Sequence, residues 1–310
     1  MKKKISIIVP TYNEEGNVEA LYKRLVTVLL HHPYDREILF VDNFSQDSTL
    51  DQLKKIQKKD KKVIIITLSR NFGSSQPSYL LGLKECSGDC AVLIDGDLQD
   101  PPEVIHQFIA KWEEGYDVVY GIRTARKGSI ARRIGYKIFY RIFRMVSDIP
   151  IAVDVGDFSL IDKKVIRQMR RIPEQDYYVR SIRAYVGFKQ TGVSYTREER
   201  HMGTSHLPFW GNFFWAKHAI VSFSSKPLEF ISIVSLLIAF VSFCSIIFYF
   251  YLYLFTENRP QGIATIITLI LFLGSIQLLA ISILAEYLSK IFIEIKRRPN
   301  AIVDKIYKIK

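Results

Sequence analysis

Short apolar runs alternate with helical patterns along the first part of the chain, and this alternation constrains the fold more than any other feature. The runs cover residues 4–9, 37–42, 63–68, 91–94 and 117–121. Each is long enough for a buried strand, and the first and fourth are closely followed by proline. Helical spacing follows the first run, where Val18, Leu21, Leu25 and Val28 fall on one face. Strands that alternate with helices predict an α/β fold with a doubly wound, mostly parallel sheet.

Polar side chains follow the first four predicted strands. They are Tyr12 and Glu14, Asp42, Arg70 and Asn71, and Asp95 and Asp97. In open α/β sheets, ligands bind outside the carboxyl ends of the strands. Asp95-Gly96-Asp97 is the most informative group, because Mg²⁺ is usually held by one or two carboxylates plus substrate phosphates. Turn chemistry explains an isolated Asp pair but not this convergence, so the sequence points to nucleotide-diphosphate chemistry.

Several motifs in a fixed order carry a family resemblance. They are Val-Pro-Thr-Tyr-Asn-Glu at 9–14, Val-Asp-Asn-x-Ser-x-Asp at 41–47, Ser-Arg-Asn-Phe-Gly at 69–73 and Asp-Gly-Asp-Leu-Gln-Asp-Pro-Pro at 95–102. The chain resembles the family-2 glycosyltransferases, and more narrowly the polyisoprenyl-phosphate glycosyltransferases, which include dolichyl-phosphate mannose synthase and the bactoprenol glucosyltransferases. The similarity continues through 155–162, 185–188 and 223–228 to 285–288, so it covers nearly the whole chain.

The resemblance implies a GT-A fold and an inverting sugar transfer. The donor would be a nucleotide sugar, UDP-glucose or UDP-N-acetylglucosamine, and the acceptor polyprenyl (undecaprenyl) phosphate. The lipid-linked sugar would serve cell-envelope glycosylation after a separate flippase has moved it outward, for use by a downstream transferase. A lipid phosphate is already an anionic nucleophile near neutral pH, so the enzyme has to desolvate and align it more than deprotonate it.

The resemblance also assigns residues. The metal, Mg²⁺ or Mn²⁺, would be held by Asp97 and Gln99 with help from Asp95. The residues expected around the donor nucleotide are Pro10, Tyr12, Glu14, Asp42, Arg70, Asp95 and Arg200. Asp157 is expected to act as a base or to orient the donor sugar, and Asp95 and Arg123 complete the catalytic set. The acceptor phosphate would bind Arg123 first, with Arg126, Arg132 and Arg133 as further candidates.

Three positions depart from the family pattern. Asn43 stands where a second Asp is usual, Ser159 where Arg is frequent, and His206 where Lys often follows Gly-x-Ser. The last two changes remove fixed positive charge from the predicted site. They bear on the choice of donor and on the acceptor-phosphate residues.

Residues 228–254 and 263–288 are nearly all apolar, and the connector between them is short. About 20 apolar residues span a bilayer as a helix, so we predict an antiparallel transmembrane hairpin. The flanking basic residues are Lys217, Lys226, Lys290, Lys296, Arg297 and Arg298. By the positive-inside rule, the protein is expected to be a multi-pass protein of the cell membrane, with its catalytic domain and both termini in the cytoplasm.

The predicted organisation has four parts. A GT-A domain covers 1–206, with an interfacial amphipathic helix near 130–147, and a second interfacial helix covers 207–227. The two spans and a cytoplasmic basic tail at 290–310 complete the chain. The net charge of +12 fits a lipid bilayer and anionic substrates, and no nucleic-acid motif stands out. A two-helix hairpin buries little surface in lipid, so a homo-oligomer is expected.

Two other functions fit parts of the pattern. A membrane-anchored nucleotide-sugar sensor or scaffold without catalysis would explain Asn43 and Ser159, although Asp95, Asp97, Gln99 and Asp157 argue against it. A processive polysaccharide synthase is disfavoured because the sequence has no Gln-x-x-Arg-Trp motif and too little membrane-embedded chain for a translocation channel. Metal-dependent UDP release would exclude the scaffold.

Overall fold

The chain forms two units. The computed structural model describes residues 2–124, 155–174, 178–198, 224, 226–255 and 262–309. The first unit comprises 1–140, 149–208 and 297–310, and the second comprises 141–148 and 209–296. The interfacial helix predicted near 130–147 lies outside the described residues, as does most of the one predicted at 207–227.

An eight-stranded mixed sheet forms the centre of the first unit, in the order β7-β5-β6-β4-β1-β2-β3-β8. The strands are β1 (Lys4–Thr11), β2 (Asp35–Asp42), β3 (Val63–Leu68), β4 (Cys90–Leu93), β5 (Val118–Arg123), β6 (Val155–Asp162), β7 (Gln190–Tyr195) and β8 (Val303–Tyr307). Neighbours pair in parallel in β1–β2, β1–β4, β2–β3 and β5–β7, and antiparallel in β3–β8, β4–β6 and β5–β6. The predicted α/β fold with a mostly parallel sheet is confirmed.

Helices cover both faces of this sheet. They are α1 (Val18–Leu30), α2 (Thr49–Lys59), α3 (Gln76–Glu85), α4 (Ile105–Glu113), α5 (Lys163–Met169) and α6 (Val179–Tyr185), with a 3₁₀ turn at Pro102–Val104. Ile7 of β1 packs in a core with side chains from α1, α2 and α4, whereas Ile8 packs in a second core with α3, α5 and α6. Successive residues of a strand point to opposite faces, so a strand buried on both sides is apolar throughout. The predicted apolar face of α1 is buried, as expected.

The last strand was not anticipated from the sequence. Residues 303–307, within the segment predicted to be a basic tail, form β8 and pair antiparallel with β3 at the edge of the sheet. Gln57 of α2 fixes this strand from the side, because its amide donates to the carbonyl oxygens of both Val63 and Tyr307. The C-terminal segment is therefore part of the first unit.

Helix α3 lies unusually close to β1 at Gly82. A Cβ atom added there would lie 2.3 Å from Cγ2 of Ile8, a fully buried core side chain. The N-terminal half of α3 lies beside the end of β4 and the start of β6, where Tyr79 donates to Asp95 and Gln76 donates to Asp157. Gly82 therefore sets the distance between this helix and the sheet.

Gly82→Ala is expected to destabilise the first unit by about 1–3 kcal/mol, because overpacking a filled core outweighs the gain in helix propensity. Thermal unfolding in detergent, followed by circular dichroism, measures this. Gly274→Ala is the matched control, since a Cβ there meets nothing within 4 Å. Equal unfolding temperatures for Gly82→Ala and the wild type would contradict the close contact.

The second unit contains two long apolar helices, α7 (Lys226–Phe255) and α8 (Ile263–Lys296). Their most apolar stretches, Lys226–Ser245 and Leu269–Lys296, have mean hydropathies of 2.2 and 2.1. By length and composition, both helices are able to cross a membrane. Within this unit, the Tyr287 hydroxyl donates to the carbonyl oxygen of Ser224, just before α7.

Candidate active site

A cavity of about 380 Å³ opens at the carboxyl ends of β1 and β4. Five of the predicted site residues line it: Pro10, Tyr12, Glu14, Asp95 and Asp97. The other lining residues come from the ends of β1, β2 and β4, from the segment that leads into α3 and from its first turn: Thr11, Asn43, Gly96, Asn71, Gly73, Ser74, Ser75 and Ser78. The parallel pairing of β1 with β2 and β4 brings these ends together, as the sequence predicted.

Asp95 and Asp97 follow β4 and are held in different ways. Asp95 Oδ1 accepts a hydrogen bond of 2.7 Å from the hydroxyl of Tyr79, which is fully buried in α3. Asp97 Oδ1 accepts one of 3.1 Å from the backbone N–H of Gln99, which closes a tight turn. Burial, followed by the charges of Asp100, Asp97 and Asp157, raises the pKa of Asp95 from 3.8 to about 7.

Because the pKa of Asp95 is raised on folding, ionising it opposes stability. Between about pH 4 and pH 7 the folded protein keeps a proton that the unfolded chain has released, so stability falls as the pH rises through this window. We expect Asp95→Asn, which cannot ionise, to unfold at a higher temperature than the wild type at pH 8 but not at pH 4. The shift is about 2–4 °C for each kcal/mol relieved. Thermal unfolding in EDTA at both pH values measures it, and an equal difference at both would contradict this origin.

The loops after β1 and β2 are joined by hydrogen bonds. Ser45 donates to both carboxylate oxygens of Asp42, through its hydroxyl at 2.5 Å and its backbone N–H at 3.3 Å. The same hydroxyl accepts from the backbone N–H of Asn13, and Thr49 accepts from that of Glu14. Burial raises the pKa of Asp42, against the stabilising hydrogen bonds from Ser45. The loops after β1 and β2 therefore present Asp42 in a fixed orientation.

Arg70 lies apart from this cavity wall. Its side chain is exposed, and its guanidinium stacks over the Phe72 ring, 4.0 Å from the centroid. Its Nη1 donates to the carbonyl oxygen of Asn71. The predicted contact of Arg70 with the nucleotide thus stays a prediction.

Asp157, near the start of β6, is fixed by an amide from α3. Gln76 Nε2 donates to Asp157 Oδ2 at 2.9 Å, while Gln76 Oε1 accepts from the backbone N–H of Val179 at the start of α6. The other oxygen, Asp157 Oδ1, is buried and has no hydrogen-bond partner among the described residues. Arg183 supplies a nearby positive charge. Burial lowers its pKa to about 10, and the carboxylate of Asp157 opposes that shift.

Asp100 joins two arginines and a tyrosine. Its side chain is 1% exposed and accepts a 2.5 Å hydrogen bond from the Tyr195 hydroxyl. Arg123 Nη2 lies 3.6 Å from Asp100 Oδ2, and Arg197 Nε lies 3.3 Å from Asp100 Oδ1. The Arg123 guanidinium also occupies the space that a side chain at Gly156 would need, since a Cβ there would lie 2.7 Å from Nη2. Arg123 is thus oriented by Asp100.

Two of the departures from the family pattern have a structural role here. Asn43 Oδ1 accepts from the backbone N–H of Phe72, and its amide donates to Asn71 Oδ1, so Asn43 ties β2 to the loop before α3. Ser159 is fully buried and its hydroxyl donates to the carbonyl oxygen of Asp157, two residues earlier. His206 lies outside the described residues, as do Arg126, Arg132, Arg133 and Arg200.

The donor atoms at this edge fit a hard divalent cation. Asp97 and Gln99 offer carboxylate and amide oxygens, which Mg²⁺ and Mn²⁺ prefer. Asp100 Oδ2 is buried without a hydrogen-bond partner among the described residues, so the acidic group is not fully compensated by hydrogen bonds. Three or more His, Cys, Asp or Glu side chains do not converge into a cage within the described part of the chain.

Sequence reasoning missed the residues that hold the acidic side chains in place. They are Gln76, Tyr79, Asp100, Arg183, Tyr195 and Arg197. Asp100 carried a signal, since it belongs to the Asp-Leu-Gln-Asp-Pro-Pro motif. The others lie on helices, at the end of β7 or just after it, where their residue types are ordinary.

The chain is similar in sequence to several known proteins. The sequence profile described as glycosyl transferase family 2 matches residues 6–170. A glycosyltransferase of Bacillus subtilis, named uncharacterized, is 39% identical over 305 residues, or 98% of this chain and 94% of the relative. The bactoprenol glucosyl transferase of Shigella phage SfV is 35% identical over 302 residues, 97% and 98% of the two chains. Among solved structures, residues 1–349 of S. aureus TarS with UDP-GlcNAc share 17% identity, with a TM-score of 0.46 over 71% of this chain and 66% of that one.

Proposed function

The chain belongs to glycosyl transferase family 2, and we propose that it transfers a sugar from a UDP-sugar to polyprenyl phosphate, with inversion at the anomeric carbon. The observation that carries the proposal is the cavity that joins Asp95 and Asp97 to the end of β1. Support for the acceptor comes from relatives named bactoprenol glucosyl transferase, which match nearly the whole chain at 33–35% identity. The same names favour UDP-glucose as the donor, with UDP-N-acetylglucosamine as the alternative.

The donor nucleotide is proposed to bind along the ends of β1 and β2. Tyr12 lines the cavity and is 43% exposed, so its ring offers a face on which a base can stack. Asp42, oriented by Ser45, is placed to accept hydrogen bonds from the base or the ribose. Pro10 and Glu14 complete this wall.

The diphosphate is proposed to lie beside Asp95 and Asp97. Bound Mg²⁺ or Mn²⁺ would neutralise the negative charge that develops on the leaving diphosphate. Asp97 and Gln99 would hold it, with help from Asp95. The turn closed by the Gln99 N–H keeps the Asp97 carboxylate in one orientation before the donor arrives. Arg200 is proposed to bind the diphosphate as well.

The acceptor phosphate is proposed to meet Arg123. Its side chain is 23% exposed, and Asp100 and Tyr195 fix its guanidinium. A phosphate would therefore bind a cation that has already lost most of its conformational freedom. Arg126, Arg132 and Arg133 follow in sequence and add positive charge for the lipid phosphate and its headgroup neighbours.

Asp157 is proposed to orient the donor sugar or to act as a base. Gln76 holds one of its oxygens, while the other is buried and has no hydrogen-bond partner within the described residues, so a sugar hydroxyl that reached it would supply the missing donor. Because a lipid phosphate is already anionic near neutral pH, orientation is the role that the chemistry requires first.

We place the protein in the cell membrane, with α7 and α8 as spans. Lys226 begins α7 and Lys296 ends α8, so a basic residue lies at the end of each helix that is away from the connector between them. The positive-inside rule then puts the catalytic domain on the cytoplasmic side. A homo-oligomer, a separate flippase and a downstream transferase belong to the same proposal.

The proposal is tested by incubating the purified protein in detergent with undecaprenyl phosphate, Mg²⁺ or Mn²⁺, and single UDP- and GDP-sugars. Mass spectrometry of the lipid fraction reads the product. One lipid-phosphate-sugar mass, formed with one UDP-sugar, is the expected result and fixes the donor. Tight UDP binding without a product from any donor would contradict transfer and favour a nucleotide-sugar-binding scaffold.

A further inference from the structure

Arg197 lies beside Asp97, one of the predicted metal ligands. It is located in the short segment after β7, and its Nη2 is 4.0 Å from Asp97 Oδ2. Its Nε is 3.3 Å from Asp100 Oδ1. The guanidinium thus bridges two carboxylates, one of which lines the cavity.

The backbone around Arg197 is anchored on both sides. Before it, Tyr195 ends β7, which pairs with β5. After it, the backbone N–H of Glu198 donates to the carbonyl oxygen of Gln99 at 2.9 Å, and the Glu198 carboxylate binds Arg24 of α1 at 3.1 Å. Arg24 also binds Glu103 with two hydrogen bonds. Arg197 can therefore leave the carboxylates by a change of rotamer, but its Cα is held beside them.

A divalent cation at Asp97 would compete with this guanidinium. Metal–oxygen distances are about 2.1 Å, so a cation on Asp97 Oδ2 would lie within about 6 Å of the present position of Nη2. Two positive groups at that distance, beside the buried carboxylates of Asp97 and Asp100, repel each other strongly. A nucleotide diphosphate would relieve the repulsion, because a guanidinium binds phosphate oxygens as well as it binds carboxylates.

We propose that Arg197 is a built-in counter-ion of Asp97 and Asp100, which the metal has to displace and which the donor diphosphate then accepts. Arg197 thereby couples the two ligands: the metal binds weakly to the free protein and more tightly when the nucleotide is present. By linkage, the nucleotide also binds more tightly when the metal is present. The inference rests on the proposed function only for the identity of the diphosphate.

Mn²⁺ binding to the full-length protein in detergent tests this without turnover. Electron paramagnetic resonance of free Mn²⁺ gives the affinity, first without nucleotide and then with UDP. For Arg197→Gln we expect Mn²⁺ to bind the free protein about tenfold more tightly than it binds the wild type, and UDP to strengthen that binding by a correspondingly smaller factor. An unchanged or weaker Mn²⁺ affinity in the free variant would overturn the proposal.

Three further variants define the site. Lys23→Gln removes an exposed charge on α1, 70% exposed at its side chain, and should leave the Mn²⁺ affinity unchanged. An effect equal to that of Arg197→Gln would assign the change to net charge and overturn the proposal.

Asp97→Ala should abolish Mn²⁺ binding. Retained binding would place the ion elsewhere and would also overturn the proposal. Arg197→Lys keeps the positive charge but loses the paired N–H donors of the guanidinium. The Mn²⁺ affinity of the free variant should therefore stay near that of the wild type, while UDP should strengthen Mn²⁺ binding less than it does in the wild type.

The Arg197→Lys result also carries the test if Arg197→Gln does not fold, which thermal unfolding would reveal. An Arg197→Lys protein with the full wild-type coupling between UDP and Mn²⁺ would overturn the proposal. The outcome is independent of the transfer assay. Tighter Mn²⁺ binding by Arg197→Gln in a protein that transfers no sugar would refute the proposed acceptor alone, whereas transfer with unchanged Mn²⁺ binding would refute the role of Arg197 alone.

Discussion

Replacing Asp97 by alanine is expected to lower kcat/KM for sugar transfer by about 10³-fold while the protein stays folded. Asp97 lines the cavity and is 7% exposed, and its carboxylate is the predicted link between the protein and the metal-bound diphosphate. Asp97→Asn should cause nearly the same loss. Its amide oxygen can still accept the Gln99 N–H that closes the turn, but it lacks the negative charge. Nucleotide release and lipid product are measured side by side.

Asp60→Ala is the matched control for Asp97→Ala. Asp60 accepts a hydrogen bond from the backbone N–H two residues later, at Lys62, just as Asp97 does from Gln99. It also binds Arg36 and Tyr22, away from the acidic cluster. We expect this variant to lose stability while its activity per folded molecule changes by less than about threefold. Wild-type activity in Asp97→Ala would refute the metal assignment.

Asp157→Asn is expected to lower kcat by about 10²–10³-fold with little change in the KM for the donor. The side chain keeps its shape and an oxygen that can accept from Gln76, so the geometry of β6 and α3 is retained. The variant loses the negative charge that is proposed to orient the sugar. Steady-state kinetics with a fixed concentration of lipid phosphate measures both constants.

The pH profile of Asp157→Asn separates its two possible roles. The second pKa of a phosphate monoester is about 6, so a lipid phosphate needs no base above pH 7. If Asp157 orients the sugar, the ratio of wild-type to variant activity should stay constant from pH 7 to pH 9. A ratio that falls as the pH rises would show that Asp157 removes a proton. Asp162→Asn, at the far end of β6, is the control and should retain activity.

The sequence predicted the central strands and their shared edge because burial on both faces leaves a continuous apolar run. Ile5 to Val9 is such a run apart from Ser6, and the polar residues from Tyr12 onward mark its end. The sequence also predicted the apolar face of α1, because its buried residues repeat at helical spacing. The lining residues Tyr12, Glu14, Asp95 and Asp97 followed from the rule that parallel strands end at one edge.

The remaining features depend on contacts between distant parts of the chain. Residues 303–307 read Val-Asp-Lys-Ile-Tyr, without a strict alternation, and nothing local says that they return to β3 across more than 230 residues. Gln76 and Tyr79 have ordinary residue types for a helix, and only the docking of α3 turns them toward Asp157 and Asp95. Arg123 was predicted to bind the acceptor, and its partner Asp100 became visible only when β5 and the loop after β4 were placed together.

The measurement that tests the central claim most directly compares undecaprenyl phosphate with undecaprenol, the same lipid without its phosphate. UDP release from UDP-glucose and from UDP-N-acetylglucosamine is followed with each lipid, in the presence of Mg²⁺ or Mn²⁺. The account predicts lipid-dependent release from one of the two donors with the phosphate, and none above background with the alcohol. Equal release with both lipids, or release that needs no lipid, would contradict transfer to a lipid phosphate.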